Sequence, residues 1–437
     1  MKNTKIHFMG IGGAGASACA AIAASAGFVV SGCDIAKSKY LTNLRNIKID
    51  IDIGHNTKHL KDCQMLVITP AIPNVNPGNL ELLAAKKAKI PVLTWQEFMA
   101  KFLQTGKRLI AVAGSHGKST TTGMIGHILE DAGFDPTVEV GALDLAWDKN
   151  FRIGEGKVFI CEADEYNNNF LNYKPEIAVI TNIDFDHPDF FKNAASVLKS
   201  FVKFTQGNKN LKKLIVNPQN LGIKKLLRKI NNKDILEFSK STADNQKLKM
   251  LAEYNLNNAA LAAAVGESLG IGDQVIQRSL ANFKGLERRL EFLGQIGNTQ
   301  IFDDFAHHPT EIAATLQTLK VQHPKYPICI IFQPHTYSRT RALFSDFVKV
   351  FRAANLSQII FTDIFASREK NDLGISSHDL AAAVGAGAIY VSNLEGVSDW
   401  LAQNLSKFGV IATIGAGDIG KIWDFDNLKL KFKNDKN

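Results

Sequence analysis

The sequence lacks an apolar run long enough to cross a bilayer, and it opens on a strand-like segment, Lys5–Gly10, instead of a charged and apolar leader. This predicts a cytoplasmic protein with no membrane insertion. Cysteine is scarce. Its five positions (Cys19, Cys33, Cys63, Cys161 and Cys329) are scattered through apolar segments without paired spacing. Neither disulfides nor a metal cluster is expected of them, and the thiols are expected to be reduced core residues. Also missing is any basic stretch interleaved with aromatics. The net charge of +9 gathers in Lys209–Lys233 and in the tail Lys429–Lys433, with no recognition-helix pattern beside it. Nucleic acid is excluded as a partner; these are solvated basic faces whose field favours anionic substrates.

What is present is a soluble composition, 45% hydrophobic and 21% charged, in 437 residues. That length exceeds one hydrophobic core and suggests about three domains. Strand and helix patterns alternate throughout. The first unit, 1–106, has strands at Ile6–Met9, Val29–Cys33, Met65–Thr69 and Pro91–Leu93 and a helix at Ala18–Ala26. The second, 107–293, has strands at Leu109–Ala113, Val158–Cys161, Ala178–Thr181 and Leu214–Val216, and a helix at Ala259–Leu269. The third, 294–437, has strands near Gln300–Phe302, Ile328–Phe332, Gln358–Thr362, Ala388–Val391 and Val410–Thr413, with fraying expected after Asp424. Such alternation predicts an α/β fold of parallel sheets covered on both faces.

The stretch Gly114-Ser115-His116-Gly117-Lys118-Ser119-Thr120 lies between an apolar strand and a helix-like run, Thr121–Leu129. A strand that breaks into glycines and starts a helix leaves backbone N–H groups converging on one spot, where phosphate oxygens and the helix dipole agree. Lys118 is placed to reach the β- and γ-phosphates and Ser119 to ligate Mg²⁺, although the general pattern wants a glycine where this chain has Val112. A second glycine pattern, Gly10, Gly12, Gly13 and Gly15, follows the first strand, with Ser17 in its helix and Asp34 ending the next strand. It suits a diphosphate. By itself it favours a nicotinamide or flavin enzyme, but NAD, FAD and a UDP-sugar all carry a diphosphate.

Three more strand ends carry polar groups. Glu162 and Glu165 end one strand, and Asp184, Asp186 and His187 follow another. Carboxylates there suit a nucleotide-bound Mg²⁺, and His187 can complete a second metal site. Arg288 and Arg289 stand at the second domain boundary, where a guanidinium can meet a phosphate. Asp303–Glu311, with the paired His307 and His308, and Gln333–Arg341, with His335 and Arg339, end two further strands. Without further ligands at suitable spacing the paired histidines do not indicate zinc, and substrate positioning fits them better.

Taken in order, Gly10–Ser17, Gly114–Thr122, Glu162–Glu165 with Phe170 and Leu171, Thr181–His187, Arg288–Glu291, Asp303–Glu311 and Phe332–Thr340 resemble the motifs of the ATP-dependent Mur ligases over nearly the whole chain. The resemblance implies a Rossmann-like N-terminal domain holding a UDP-sugar, a central P-loop ATPase domain with a parallel-rich sheet, and a C-terminal Rossmann-like domain for amino-acid binding and closure. It implies ATP and Mg²⁺ as cofactors and a monomer or weak homodimer. The implied reaction joins L-alanine to the lactyl carboxylate of UDP-N-acetylmuramate through an acyl phosphate. In residues of this chain, Ser119 and Glu162 are implied as metal ligands and His187 as the ligand of a second Mg²⁺. Asn255 is implied at adenine, Arg289 at the phosphates and Asp304 at the ATP ribose. His307, His308, His335 and Arg339 are implied to position the acyl phosphate and alanine.

The chain departs from the family pattern at Ser115 and Ser119, where threonine is common, and at Tyr254, Gly141-Ala142 and Trp95. The alternative within the family attaches a recycled tripeptide to the same UDP-sugar; Phe332–Thr340 favours the alanine reaction. Outside it, a nicotinamide oxidoreductase leaves Lys118, Glu162 and His187 without work, and a regulator without catalysis leaves Lys118, Glu162 and Arg289 unexplained.

Overall fold

A computed structural model describes residues 3–230, 235–237, 253–367, 369–425 and 428. The chain is α/β and is built on three sheets. The first holds β1 (Lys5–Met9), β2 (Val29–Asp34), β3 (Asp50–Ile53), β4 (Met65–Ile68) and β5 (Val92–Thr94), in the order β3-β2-β1-β4-β5 and all parallel. Successive side chains of β1 take opposite faces. Met9 packs with Cys33, Leu66 and Ile68 under Leu82 and Ala85 of the Leu80–Lys87 helix, whereas Phe8 meets the edge of Phe98, ring centroids 5.8 Å apart.

The second sheet holds β6 (Arg108–Ala113), β7 (Thr137–Asp144), β8 (Lys149–Arg152), β9 (Val158–Ala163), β10 (Ile177–Ile180), β11 (Lys213–Val216) and β12 (Ile235–Glu237). Its order is β12-β11-β10-β6-β9-β7-β8, with only the β7–β8 pair antiparallel. The small residues of the Ala14–Ser25 helix, buried from Ala16 to Ala23, let it pack on both β2 and β7. The third sheet holds β13 (Glu291–Ile296), β14 (Thr299–Asp304), β15 (Ile328–Phe332), β16 (Gln358–Phe361), β17 (Ala388–Tyr390) and β18 (Val410–Ile414). Its order is β13-β14-β18-β15-β16-β17, antiparallel only at β13–β14. Both faces of this sheet are apolar: Ile301, Cys329, Ile331 and Ile411 enter one core, and Phe302, Ile330, Phe332 and Ala412 the other. Each large side chain so buried contributes roughly 1.5–3 kcal/mol.

Every strand expected from an apolar run is present. Those without such an expectation are the edge strands β3, β8, β12 and β13, together with β7. Edge strands bury one side or none and so carry mixed sequences, as in Lys149–Arg152. Within β7, Glu139 and Gly141 interrupt the apolar pattern although the strand is largely buried. The cysteine expectation needs one correction. Cys63 is half-buried because it lies in the turn before β4, while the other four cysteines are buried. Lys209, Lys212, Lys224, Lys225, Arg228 and Lys229 are exposed, as solvated basic faces should be. Residues 231–233, the basic tail 429–433 and most of the stretch expected to fray lie outside the described residues. Among the described residues no helix is long and apolar enough to cross a membrane.

The chain forms two compact units. One contains the first and second sheets; the other contains the third sheet together with Phe185–Asn193 and Tyr254.

Candidate functional site

In the first unit, β6 runs between β9 and β10 and stays paired through Ala113, with Val112 opposite Glu162 and Val179. The chain is still in regular strand at Val112, so no glycine is needed there. The loop then turns, and the Lys118–Asp131 helix starts from Gly117 at φ +81°, with neither a side-chain cap nor an acidic residue in its first turn. Glycine is required at that cap: besides the left-handed φ, a Cβ would stand 2.5 Å from Asn258 Oδ1. The loop is tied to the end of β10. Ser115 Oγ donates to Asp184 O (3.1 Å) and accepts from Asp184 N (2.9 Å), His116 N donates to Asn182 Oδ1 (2.9 Å), and Asn182 Nδ2 donates to His116 O (2.9 Å).

Lys118 Nζ donates to Gly114 O at 2.7 Å and to Glu165 Oε2 at 2.9 Å, and Asp164 Oδ1 lies 3.6 Å away. Burial opposes its charge, but Glu165, Asp164 and Glu162 outweigh that and raise its pKa, so the ammonium is secure. One Glu162 oxygen accepts from Gly141 N, and Glu162 N donates to Glu139 Oε2 at 3.1 Å. Burial first, and the Glu162 charge second, push Glu139 well above the usual carboxylate range. Ser119 and Thr120 are buried in the first helical turn. Asn255, buried on the Glu253–Ser268 helix, accepts from Asn258 Nδ2 at 3.4 Å, and Asn258 is the residue against Gly117. Thus Gly114–Thr120, Glu162 and Asn255 gather around one helix start. Their hydroxyl and carboxylate oxygens are the donor type Mg²⁺ takes.

The other glycine loop begins the Ala14–Ser25 helix at Gly13, again without a side-chain cap or an acidic first turn. Asp34 Oδ2 accepts from Gly12 N at 2.7 Å, Asp34 Oδ1 accepts from Ile35 N at 2.8 Å, and Ser38 Oγ donates to Gly12 O at 2.8 Å. Asp34 therefore shapes the loop directly, and Gly10 N donates to Cys33 O at 2.8 Å. A Cβ on Gly15 would stand 2.3 Å from the Trp95 ring, so the unusual tryptophan at that position relies on this glycine. Ser17 Oγ donates to Ala14 O (2.8 Å) and accepts from Asn150 Nδ2 (3.0 Å).

In the second unit the centre is Asp186, which the sequence offered only as one of several strand-end carboxylates suited to a nucleotide-bound metal. It is buried beside a buried Arg339 whose Nε donates to its Oδ1 at 2.8 Å. His187 N donates to the same oxygen at 2.7 Å, at φ +55°, while His187 Nε2 and His307 Nε2 stand 3.8 and 4.0 Å from Oδ2. Arg339 NH1 also donates to His335 Nδ1 at 2.9 Å, and the His335 ring stacks on Phe365. His307 Nδ1 faces Phe305 O at 3.0 Å, and burial lowers its pKa to about 4, so the ring is neutral at neutral pH. His308 has both ring nitrogens engaged: Nδ1 caps the Pro309–Gln322 helix through Thr310 N, and Nε2 donates to Phe185 O at 3.1 Å.

Asp304 accepts from Thr315 Oγ1 (2.6 Å) and Ala306 N (3.0 Å); burial nonetheless raises it to about 6 and, with the Asp304 charge, pushes Tyr254 upward. Arg289 lies over the Phe305 ring at 5.2 Å. Arg288 is structural in geometry, joining Asp303 Oδ2 (2.7 Å) to Gly415 O (2.6 Å) and Gly417 O (2.9 Å). No role could be read from the sequence for Asn182, Asn258 or Glu139. Acidic or amide residues next to motif residues were the available signal.

Comparison with known proteins agrees with this layout. The Mur ligase family catalytic domain matches residues 5–107, the Mur ligase middle domain 112–249, and the Mur ligase glutamate ligase domain 288–417. A UDP-N-acetylmuramate–L-alanine ligase of Caldicellulosiruptor bescii is 38% identical, covering 96% of this chain and 97% of its own. The crystal structure of the UDP-N-acetylmuramate–alanine ligase of Thermotoga maritima superposes with a TM-score of 0.79 at 25% identity, covering 99% of both chains. A murein peptide ligase of Psychrobacter arcticus shares the fold with a TM-score of 0.73 at 20% identity, again over 99% of each chain. The chain belongs to the Mur ligase family.

Proposed function

We propose that this chain is a UDP-N-acetylmuramate–L-alanine ligase acting in peptidoglycan precursor synthesis in the cytoplasm. The observation that carries the reading is its 38% identity, nearly end to end, with a ligase of that name. Residues 1–106 are assigned to the UDP-sugar, 107–293 to ATP and 294–437 to the amino acid.

A carboxylate is a poor electrophile. The lactyl carboxylate oxygen attacks the ATP γ-phosphorus, ADP leaves, and an acyl phosphate results. The alanine amine then adds to the acyl carbon, loses a proton, and inorganic phosphate departs. Lys118 and the N–H groups of Gly114–Thr120 stabilise charge on the transferring phosphoryl group, an effect of roughly 3–4 kcal/mol per donor at comparable sites. Ser119 and Glu162 hold Mg²⁺, which when bound neutralises phosphate charge, and His187 is assigned to a second Mg²⁺. Asn255 is assigned to adenine, Arg289 to the phosphates and Asp304 to the ribose. His335 and Arg339 orient the acyl phosphate and alanine, with His308 fixing the helix start beside them. His307, kept neutral by burial, is assigned with them to positioning the acyl phosphate and alanine. Gly10, Gly12, Gly13 and Gly15 admit the UDP diphosphate to a helix N-terminus, held in shape by Asp34.

The test is product analysis with ATP, UDP-N-acetylmuramate and either L-alanine or a murein tripeptide. ADP, phosphate and UDP-N-acetylmuramoyl-L-alanine are expected. A murein peptide ligase shares this fold, and turnover that requires the tripeptide and ignores L-alanine would establish that second reading.

A further inference from the structure

We infer that the first sheet carries a second, separate metal site, a four-coordinate centre for Zn²⁺ made by His7, Cys33, His59 and Glu81. One ligand atom from each of these residues lies within 4.8 Å of all the others. They come from four elements: the middle of β1, the end of β2, the turn Thr57–Leu60 and the first turn of the Leu80–Lys87 helix. No sequence spacing joins them, which is why the cysteine pattern gave no sign of a metal. Cys33 and Glu81 are fully buried, and His7 is only 2% exposed.

The distances carry the argument. A tetrahedral zinc with bonds of about 2.0 Å to N or O and about 2.3 Å to S sets ligand edges of about 3.3 Å between N or O atoms and about 3.5 Å to sulfur. Here Glu81 Oε1 lies 3.2 Å from His7 Nε2 and 3.3 Å from His59 Nδ1, two edges of that size, while its other oxygen, Oε2, lies 3.5 Å from Cys33 Sγ and 3.5 Å from His55 Nδ1, which also stands 3.3 Å from the sulfur. Although His7 Nε2 is buried beside that carboxylate, it makes no hydrogen bond among the described residues. Two polar atoms that face a common point, and not each other, produce this arrangement.

The outer partners fit too. His7 Nδ1 meets Ser31 Oγ at 2.8 Å, and His59 Nε2 meets Asp52 Oδ2 at 3.3 Å. Metal-bound imidazoles are oriented in this way through the nitrogen they do not use for the metal. Charge favours the ion as well. Binding breaks the Cys33 S–H bond and releases that proton to solvent, after which one thiolate and one carboxylate balance a dication in a buried place. The donor set, two imidazoles, a thiolate and a carboxylate, suits Zn²⁺ and is unlike the all-oxygen set that Mg²⁺ prefers.

The experiment uses the full-length protein, stripped with chelator and titrated with Co²⁺ and then Zn²⁺. One Co²⁺ per chain should give the intense visible bands of tetrahedral cobalt and a thiolate-to-cobalt charge-transfer band, both erased by one equivalent of Zn²⁺. The charge-transfer band should vanish in Cys33→Ser, and Co²⁺ affinity should fall at least about tenfold in His59→Asn, the ligand least buried of the four. Each variant is checked by circular dichroism. A wild-type protein that shows no thiolate band with Co²⁺, or a Cys33→Ser variant that keeps it, overturns the site. Because the readout is spectroscopic, it is independent of ligase activity.

Discussion

The Lys118 region and the Asp186 region are both buried ion clusters, but their charge balance differs. Around Lys118 one ammonium faces Glu165, Asp164 and Glu162, a surplus of negative charge. Around Asp186 one carboxylate faces one guanidinium, Arg339, and the neighbouring His307 is kept neutral. Surplus carboxylates in a partly dry place favour an added cation, whereas a balanced pair is complete in itself. The first arrangement is therefore suited to receive a metal nucleotide and the second to hold a shape. They also differ in origin: the first joins two stretches, Gly114–Thr120 and Glu162–Glu165, each of them a local motif, and the second joins three stretches far apart in the chain.

If the second cluster is balanced, removing one member should leave an uncompensated buried charge. Asp186→Ala is expected to lose about 3–5 kcal/mol of stability in denaturant unfolding, and Arg339→Ala a similar amount, with the double variant losing far less than the sum. A loss below about 1 kcal/mol in either single variant would show that the pair is not the structural centre described here.

At Lys118 the expected effect is on rate. Lys118→Ala should lower kcat by roughly 100- to 1,000-fold, the scale of one lost oxyanion or phosphoryl donor, while the UDP-sugar still binds the first sheet's loop. Normal turnover in that variant would remove the phosphate assignment. Calorimetry of UDP-N-acetylmuramate binding checks the second half of the statement.

Acid separates two groups of the second unit that titrate in opposite senses. Asp304, raised to about 6, binds its proton more readily folded than unfolded, so its contribution rises as pH falls through 6 and is complete below the ordinary carboxylate value. His307, lowered to about 4, does the reverse: its contribution is present above the ordinary histidine value and is lost as pH falls towards 4. Stability measured between pH 7 and pH 4 should therefore fall less steeply on acidification in His307→Gln than in wild type, and more steeply in Asp304→Asn. The differences should be on the order of 1–3 kcal/mol. Parallel pH curves for all three proteins would refute both assignments.

Legibility followed the same division. The glycine loops, the buried parallel strands and the strand-end motifs could be read because each is a local pattern with a local physical cause. Asp186 could be read only as one more strand-end carboxylate, since its partner Arg339 lies on a helix after another strand. The cluster of His7, Cys33, His59 and Glu81 was invisible for the same reason, and β7 was hidden by Glu139, an acid buried within the strand. The edge strands β3, β8, β12 and β13 escaped because their sequences lack an apolar run, whereas the edge strands β5 and β17 keep one.

The smallest expected effect tests the surplus itself. In Glu165→Gln, Lys118 keeps the Gly114 carbonyl and the nearby Asp164 carboxylate, and the new amide oxygen can still accept its hydrogen bond. What disappears is one negative charge from a group of three, which relieves repulsion while weakening one attraction. These oppose each other, so stability should change by no more than about 1 kcal/mol, against the 3–5 kcal/mol expected at Asp186. A loss of the larger size would mean that Glu165 is the sole counter-charge of Lys118, the two regions would then be balanced alike, and the case for a cation beside Lys118 would rest on Ser119 and Glu162 alone.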